Sequence, residues 1–337
     1  MELNKLIALT ILLGLAIFFA ISFLAGFGES YKVIAKANPL WILVAMGFQA
    51  LSIACLFFRW DLVVRYCGLK ITNLKLFMIT LAGVSFSHLM PSSRMGGEPV
   101  RAYFLRNETR KSASICLSTI IVERIFDAVT FSLISLFVLV FALMFWNLPA
   151  WVIAMLILAF LISSFMIFAM VYVSINRRVG MRMVFWFFRR FERLLSRWKS
   201  ARQWERKLKK DVGLYTKNVS VLLARKHLWA YGFMFSVLGW TFDIFRTYFI
   251  FVALGNNVSL LLIGGAVIIA ALAGSIPISP GGLGLIETAM ILVFASAGIP
   301  IALAGMVTII DRLISYWGVT FIGLIPSYYL GIKKYRA

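Results

Sequence analysis

The sequence predicts an all-α polytopic membrane protein, with about six full spans and two re-entrant hairpins of opposite orientation. Three observations carry that expectation. First, 62% of the 337 residues are hydrophobic and only 14% are charged, against ~45–50% and ~25% in a typical soluble domain. Second, the apolar residues gather in runs long enough to cross a bilayer, separated by basic segments. Third, two further runs end in segments rich in proline and glycine. A mean hydropathy of +0.93 excludes a water-soluble domain, and disorder is excluded because too much apolar surface would be left in water.

Crossing ~30 Å of hydrocarbon takes ~20 helical residues. Runs of that length fall at about 6–27, 40–58, 114–146, 149–174, 228–254 and 300–330. The first is too long for the 7–15-residue apolar core of a signal peptide, and no A-x-A site follows it, so it is read as a span. Runs 74–90 and 258–279 behave differently. One enters Pro91-Ser-Ser-Arg-Met-Gly-Gly-Glu98-Pro99, the other Pro277-Ile-Ser-Pro280-Gly-Gly-Leu-Gly-Leu-Ile-Glu287. Proline removes a backbone donor and glycine is a poor helix former, so both helices should break there. Broken backbone at membrane depth survives only when buried in protein or facing a water-filled cavity.

Orientation follows from lysine and arginine. There are 34 basic and 13 acidic residues, a net charge of +21, and segment 176–227 alone holds 16 basic against 3 acidic residues. That segment is expected in the cytoplasm, together with Arg59, Arg65, Lys70, Lys75 and the C-terminal Lys333, Lys334 and Arg336. The uncharged connections 146–149 and 255–259 are expected outside, which places both termini in the cytoplasm. The excess positive charge suits the anionic inner leaflet better than nucleic acid, because it lies between apolar runs. Residues 181–198 read as a basic amphipathic helix on that leaflet. Cys55, Cys67 and Cys116 are scattered, with neither disulfide nor metal spacing.

The two broken segments recur with matched spacing. Glu98 precedes Glu123 by 25 residues and Glu287 precedes Asp311 by 24; both far acids are followed by arginine, Arg124 and Arg312. The chain is therefore read as one membrane domain, 1–337. Repeat one covers about 40–146, a spacer span and the basic segment cover 149–227, and repeat two covers about 228–330. The spans preceding the hairpins run in opposite directions, as in folds with inverted repeats whose substrate sites lie at discontinuous helices near the midplane.

The motifs "PSSRMGGEPVRAYFL…VERIFDAV" and "PISPGGLGLIETAMILVF…IIDRLISYWG" resemble the lysylphosphatidylglycerol synthase transmembrane-region family, also called flippase-like, over roughly residues 6–330. The resemblance implies movement of phospholipid between leaflets. The multiple peptide resistance factor of that family continues into a soluble aminoacyl-transferase domain, whereas this sequence stops at Ala337, so the resemblance favours transport over synthesis.

Charges inside spans cost ~2.5–3.5 kcal/mol each on insertion scales and mark functional positions by default. Glu123 and Asp127 are four residues apart on one helix face, Arg124 is turned toward a neighbour, and Asp311-Arg312 repeats the pattern. Asp243 and Arg246 can neutralise each other within one helix. The rival reading of all these charges is an ion-pair network tying the repeats together. Gly96-Gly97 and Gly281-Gly282 allow close backbone approach next to helix N-termini, which suits an anion. Arg94 and Arg101 add positive charge for a phosphate, and Glu98 and Glu287 complete the candidate substrate-binding set. His88 lies just before the first break. No HExxH, GxSxG or Walker A motif is present, so neither enzymatic activity nor a cofactor is expected. The expected partner is a membrane lipid, an anionic phospholipid or lipid-linked headgroup. Two alternatives stay open: an ion-coupled carrier of a small solute, and an intramembrane lipid-modifying enzyme using Glu98, His88 or Glu123.

Overall fold

The computed structural model describes residues 35, 37–90, 96–145, 149–182, 201–276 and 278–332. The first expected span, the connection at 146–148, the basic stretch 183–200, the C-terminal cations and both Arg94 and Pro277 lie outside them. Every regular element among the described residues is a helix. In chain order these are α1 (Pro39–Tyr66), α2 (Asn73–Leu89), α3 (Glu98–Thr109), α4 (Ala113–Phe145), α5 (Ala150–Ile175), α6 (Ala201–Leu223) and α7 (Lys226–Ala253). They are followed by α8 (Leu260–Ala273), α9 (Leu285–Ser296), α10 (Ile301–Arg312) and α11 (Val319–Ile332).

Among the described residues, five helical stretches are long and apolar enough to cross a membrane: Pro39–Tyr66, Ala113–Met144, Ala150–Ile175, Lys226–Ala253 and Ile301–Gly331. They correspond to the second through sixth expected spans, and the chain is a multi-pass membrane protein. One boundary differs instructively. Hydropathy ends the first of these at residue 58, yet α1 continues to Tyr66. The first charge it meets, Arg59, is buried and held by carboxylates of another helix, so it does not mark the membrane surface. The start of α1 is set locally. Asn38 Oδ1 accepts from the Leu40 amide at 2.9 Å, and Pro39 occupies the first turn, where its missing N–H costs nothing.

Two helical hairpins sit between the long spans. In the first, α2 packs against α3; in the second, α8 packs against α9, with a short 3₁₀ turn at Pro280–Gly282 between them. Glycine is required at both turns for contact. A Cβ on Gly97 would lie 1.9 Å from the Gly83 carbonyl oxygen and 2.4 Å from Ser87 Oγ, so the turn can lie directly on α2. Ser87 Oγ also accepts from the Gly97 amide at 3.0 Å. Gly281 has φ +56°, and a Cβ there would meet the Tyr316 ring at 2.1 Å.

The remaining packing interleaves the two halves. The first described span, α1, runs along α7, with Phe48 and Trp41 each stacked on Phe249 at centroid separations of 5.2 Å. Hairpin helix α2 lies against α11, the last span. Gly323 permits that approach, since a Cβ there would be 2.1 Å from Ser85 Oγ. The last span is not uniform: a π-helical segment, Leu313–Gly318, separates α10 from α11, whereas α4 is continuous through its own acid-arginine pair.

Candidate functional site

Two charged clusters form where the long spans meet the hairpins. In the first, Arg59 on α1 reaches α4, pairing with Glu123 through Nη2 and with Asp127 Oδ1 through Nη1 at 3.0 Å. Its Nη1 also donates to Ser236 Oγ on α7 at 2.8 Å. Arg101 on α3 donates to the other Glu123 oxygen at 2.9 Å, and its guanidinium lies 4.0 Å above the Trp60 ring. Arg124 pairs with Glu98, at the start of α3, at 2.6 Å. Trp240 Nε1 donates to Asp127 Oδ1 at 3.2 Å.

The second cluster repeats this plan on α7, α9 and α10. Arg246 donates to Asp311 Oδ1 at 2.9 Å through Nε and to both Asp243 Oδ1 and Gln49 Oε1 at 2.6 Å through Nη1. Thr247 Oγ1 adds a 2.8 Å bond to Asp311. Arg312 donates to Glu287 Oε1 at 2.7 Å and to the Gly281 carbonyl at 3.0 Å. Glu287 in turn accepts from the Gly284 amide at 2.7 Å, closing the first turn of α9.

The energetics demand this pairing. Glu123 is 0% exposed, Arg101 2% and Asp311 3%. An unpaired ion at such a position is strongly unfavourable, and removing one partner of a buried pair typically costs ~3–5 kcal/mol. Glu123, Asp311, Glu98 and Glu287 are each answered by an arginine on a different helix, and the clusters fasten hairpins to spans.

Between the clusters lie two adjoining cavities of about 260 and about 240 Å³. They share Ser52, Leu56, Val84, His88, Trp240 and Asp243. The larger is faced by Arg246, Asp311, Arg312, Gln49, Ser315 and Gly281; the smaller by Arg59, Arg124, Asp127, Ser87 and Ser236. An apolar bundle thus holds a partly open space supplied with charged side chains from both halves.

The structure sorts the candidate residues. Arg124, Asp127, Gly281, Asp311 and Arg312 line the cavities. Glu123 stands behind Arg59, while Glu98 and Glu287 hold Arg124 and Arg312. Arg101, expected to face a phosphate, instead faces Glu123 and Trp60 and is absent from both linings. Gly96, Gly97 and Gly282, expected beside an anion, are likewise absent from them; Gly97 and Gly282 sit on α2 and on Gly274 respectively. Asp243 and Arg246 do pair within α7, but Arg246 is shared with Asp311.

Arg59 is the chief correction: read from sequence as a cytoplasmic cation, it belongs to the interior. One signal pointed to it. Arg246 follows Arg59 by 187 residues, nearly the 188 that separate Asp311 from Glu123. Trp240, Gln49, Ser52 and Ser236 carried no such signal.

The sequence profile described as the lysylphosphatidylglycerol synthase transmembrane region matches residues 11–323. The chain belongs to this family. A UPF0104 membrane protein of Methanothermobacter thermautotrophicus is 31% identical over 327 residues, covering 96% of this chain and 95% of the relative. UPF0104 membrane proteins of Methanocaldococcus jannaschii and Pyrococcus horikoshii are 27% and 25% identical, covering 95% and 94% of this chain and 94% of each relative. The family match spans both charged clusters and both hairpins, so the whole candidate site lies within it.

Proposed function

We propose that this protein moves a lipid or lipid-linked headgroup between the leaflets of the cell membrane, without covalent chemistry on the headgroup. The observation that carries this reading is the pair of adjoining polar cavities, walled by arginine–carboxylate pairs from both halves of an otherwise apolar bundle. In this reading the two halves are inverted repeats, and α2–α3 and α8–α9 are re-entrant hairpins entering from opposite faces. Their lengths support it: at 1.5 Å per residue, the 17 residues of α2 rise about 25 Å and the 14 of α8 about 21 Å, short of the ~30 Å hydrocarbon thickness. Both termini then lie in the cytoplasm.

The headgroup occupies the polar space while its chains stay in lipid. Arg124 and Arg312 are the groups for a phosphate, because each lines a cavity and already holds an anion, Glu98 or Glu287. A phosphate oxygen replacing a carboxylate exchanges one anionic partner for another, so the arginine is never left bare in a low-dielectric site. Reconstitution into liposomes containing fluorescent phospholipids, read by quenching of the outer leaflet, tests the proposal. Protein-dependent exposure of anionic lipid, lost in the Arg124→Ala/Arg312→Ala double variant, is expected. Folded protein that moves no labelled lipid, anionic or zwitterionic, overturns it.

A further inference from the structure

We infer that the end of α2 and the π-helical segment of the last span form a latch that closes the larger cavity, and that its release admits the headgroup. The inference rests on the translocase reading. The contact joins four parts of the chain. Tyr316, in the π segment, donates its hydroxyl to the His88 carbonyl at 3.0 Å, and its ring stacks on the His88 imidazole at 4.7 Å. His88 Nδ1 lies 2.8 Å from Thr320 Oγ1. Gly281, in the turn of the second hairpin, directs its amide at the Met90 carbonyl at 3.4 Å. Arg312 sits 4.4 Å over the Tyr316 ring and binds the Gly281 carbonyl.

Three features make this a movable contact rather than ordinary packing. His88, Gly281 and Arg312 all face the cavity, so separating them opens its wall. The backbone that presents Tyr316 is π-helical, a winding that occurs mostly as short bulges, frequently at functional sites. Rewinding it to α would turn Tyr316 away from His88 without unfolding the span. Among the described residues, the latch also has no equivalent in the first half. The residue 188 positions before Tyr316 is Ala128, and α4 is unbroken there. One side of the space is therefore bridged by side-chain contacts that have no counterpart at Ala128.

The test uses a cysteine at Ser315, which lines the same cavity, in a protein with Cys55, Cys67 and Cys116 replaced. Its labelling rate by a water-soluble thiol reagent in proteoliposomes reports access. Tyr316→Phe removes the bond to His88 and keeps the ring; Gly281→Ala wedges a methyl group against Tyr316. Each is expected to raise the rate at least threefold, while Thr308→Val, which loses a buried bond within α10, leaves it unchanged. Amide exchange over 313–320 should quicken in Tyr316→Phe. Unchanged labelling and exchange in Tyr316→Phe overturn the latch, as does an equal rise in Thr308→Val. Labelling requires no lipid movement, so a failed latch leaves the translocase reading standing. Absent translocation with a responsive latch overturns only that reading.

Discussion

In the first charged cluster two arginines, Arg59 and Arg101, converge on one carboxylate, Glu123; in the second a single arginine, Arg246, is divided between Asp311 and Asp243. The sequence motif is the same, an acid followed by arginine, but the stoichiometry is reversed. Three arginines meet three carboxylates around α3 and α4, whereas two meet three around α9 and α10. The difference assigns unequal duties. The first cluster is charge-balanced and centred on a fully buried glutamate, which fastens the hairpin to its span. The second keeps a surplus negative charge beside the larger cavity, and its span is interrupted by a π segment. On the proposed latch, the first half holds and the second half rearranges.

The sharpest way to break this comparison is to neutralise the two central acids. Glu123→Gln strands Arg101 without a carboxylate and leaves Arg59 only Asp127. A loss of about 3–5 kcal/mol is expected, seen as poor expression and a much lower thermal denaturation midpoint. Asp311→Asn leaves Arg246 with Asp243 and Gln49, so the loss should be about 1–3 kcal/mol. An Asp311 variant as unstable as the Glu123 variant would show that the clusters are equivalent.

Next in size is the effect of arginine geometry on lipid movement. Arg312→Lys keeps the charge but forfeits simultaneous contact with Glu287 and the Gly281 carbonyl. Translocation should fall roughly tenfold, the equivalent of ~1.4 kcal/mol. Arg124 makes one close contact, to Glu98, and longer ones of 3.8 Å to Asp127 and 4.0 Å to Glu123, so Arg124→Lys should lose only about threefold, a difference of ~0.6 kcal/mol. The liposome assay measures both, and a reversed order would move the phosphate contact to the first half.

A smaller effect is expected from making one half resemble the other. By the offset that relates Glu98 to Glu287, Arg101 corresponds to Met290. Arg101→Met retains an apolar stem against Trp60 and leaves Glu123 paired with Arg59. A loss of about 1–2 kcal/mol in thermal stability is expected, with translocation within about twofold of the parent. Abolished translocation in a folded variant would return Arg101 to the substrate path. The smallest effect belongs to Asp127→Asn, whose amide oxygen can still accept from Trp240 while Arg59 and Arg124 keep their glutamates. Less than about 1 kcal/mol should be lost, and a collapse of the fold on calorimetry would mean that Asp127, not Glu123, centres the cluster.

Much of the scaffold was legible because hydropathy and chain breaks are local properties. Five described spans lie where apolar runs predict them, and α2 ends at Leu89, two residues before Pro91. The second hairpin turns at Pro280-Gly281-Gly282, as its residues require. The intervals between Glu98 and Glu123 and between Glu287 and Asp311 match in the sequence, and in the structure Arg124 meets Glu98 and Arg312 meets Glu287. Local reasoning failed where a residue's environment is made by a distant helix. Arg59 looked like the end of a span because a hydropathy sum sees its charge and not its partners 64 and 68 residues away. Gly97 and Gly282 looked like parts of an anion cradle because sequence shows where glycine stands, not that each lies against another helix or turn.

The sequence by itself determined that this chain lives in a membrane, where its helices run and break, and that an acid-arginine pair occurs twice. Those features follow from apolar content, from proline and glycine, and from spacing along one chain. Only the tertiary structure decided which arginine answers which carboxylate, which of these charges face a cavity, and that Tyr316 meets His88 across 228 residues. The reason is physical. A charge inside a bilayer is tolerated only when another helix brings its partner within a few ångströms, and that proximity is a property of packing.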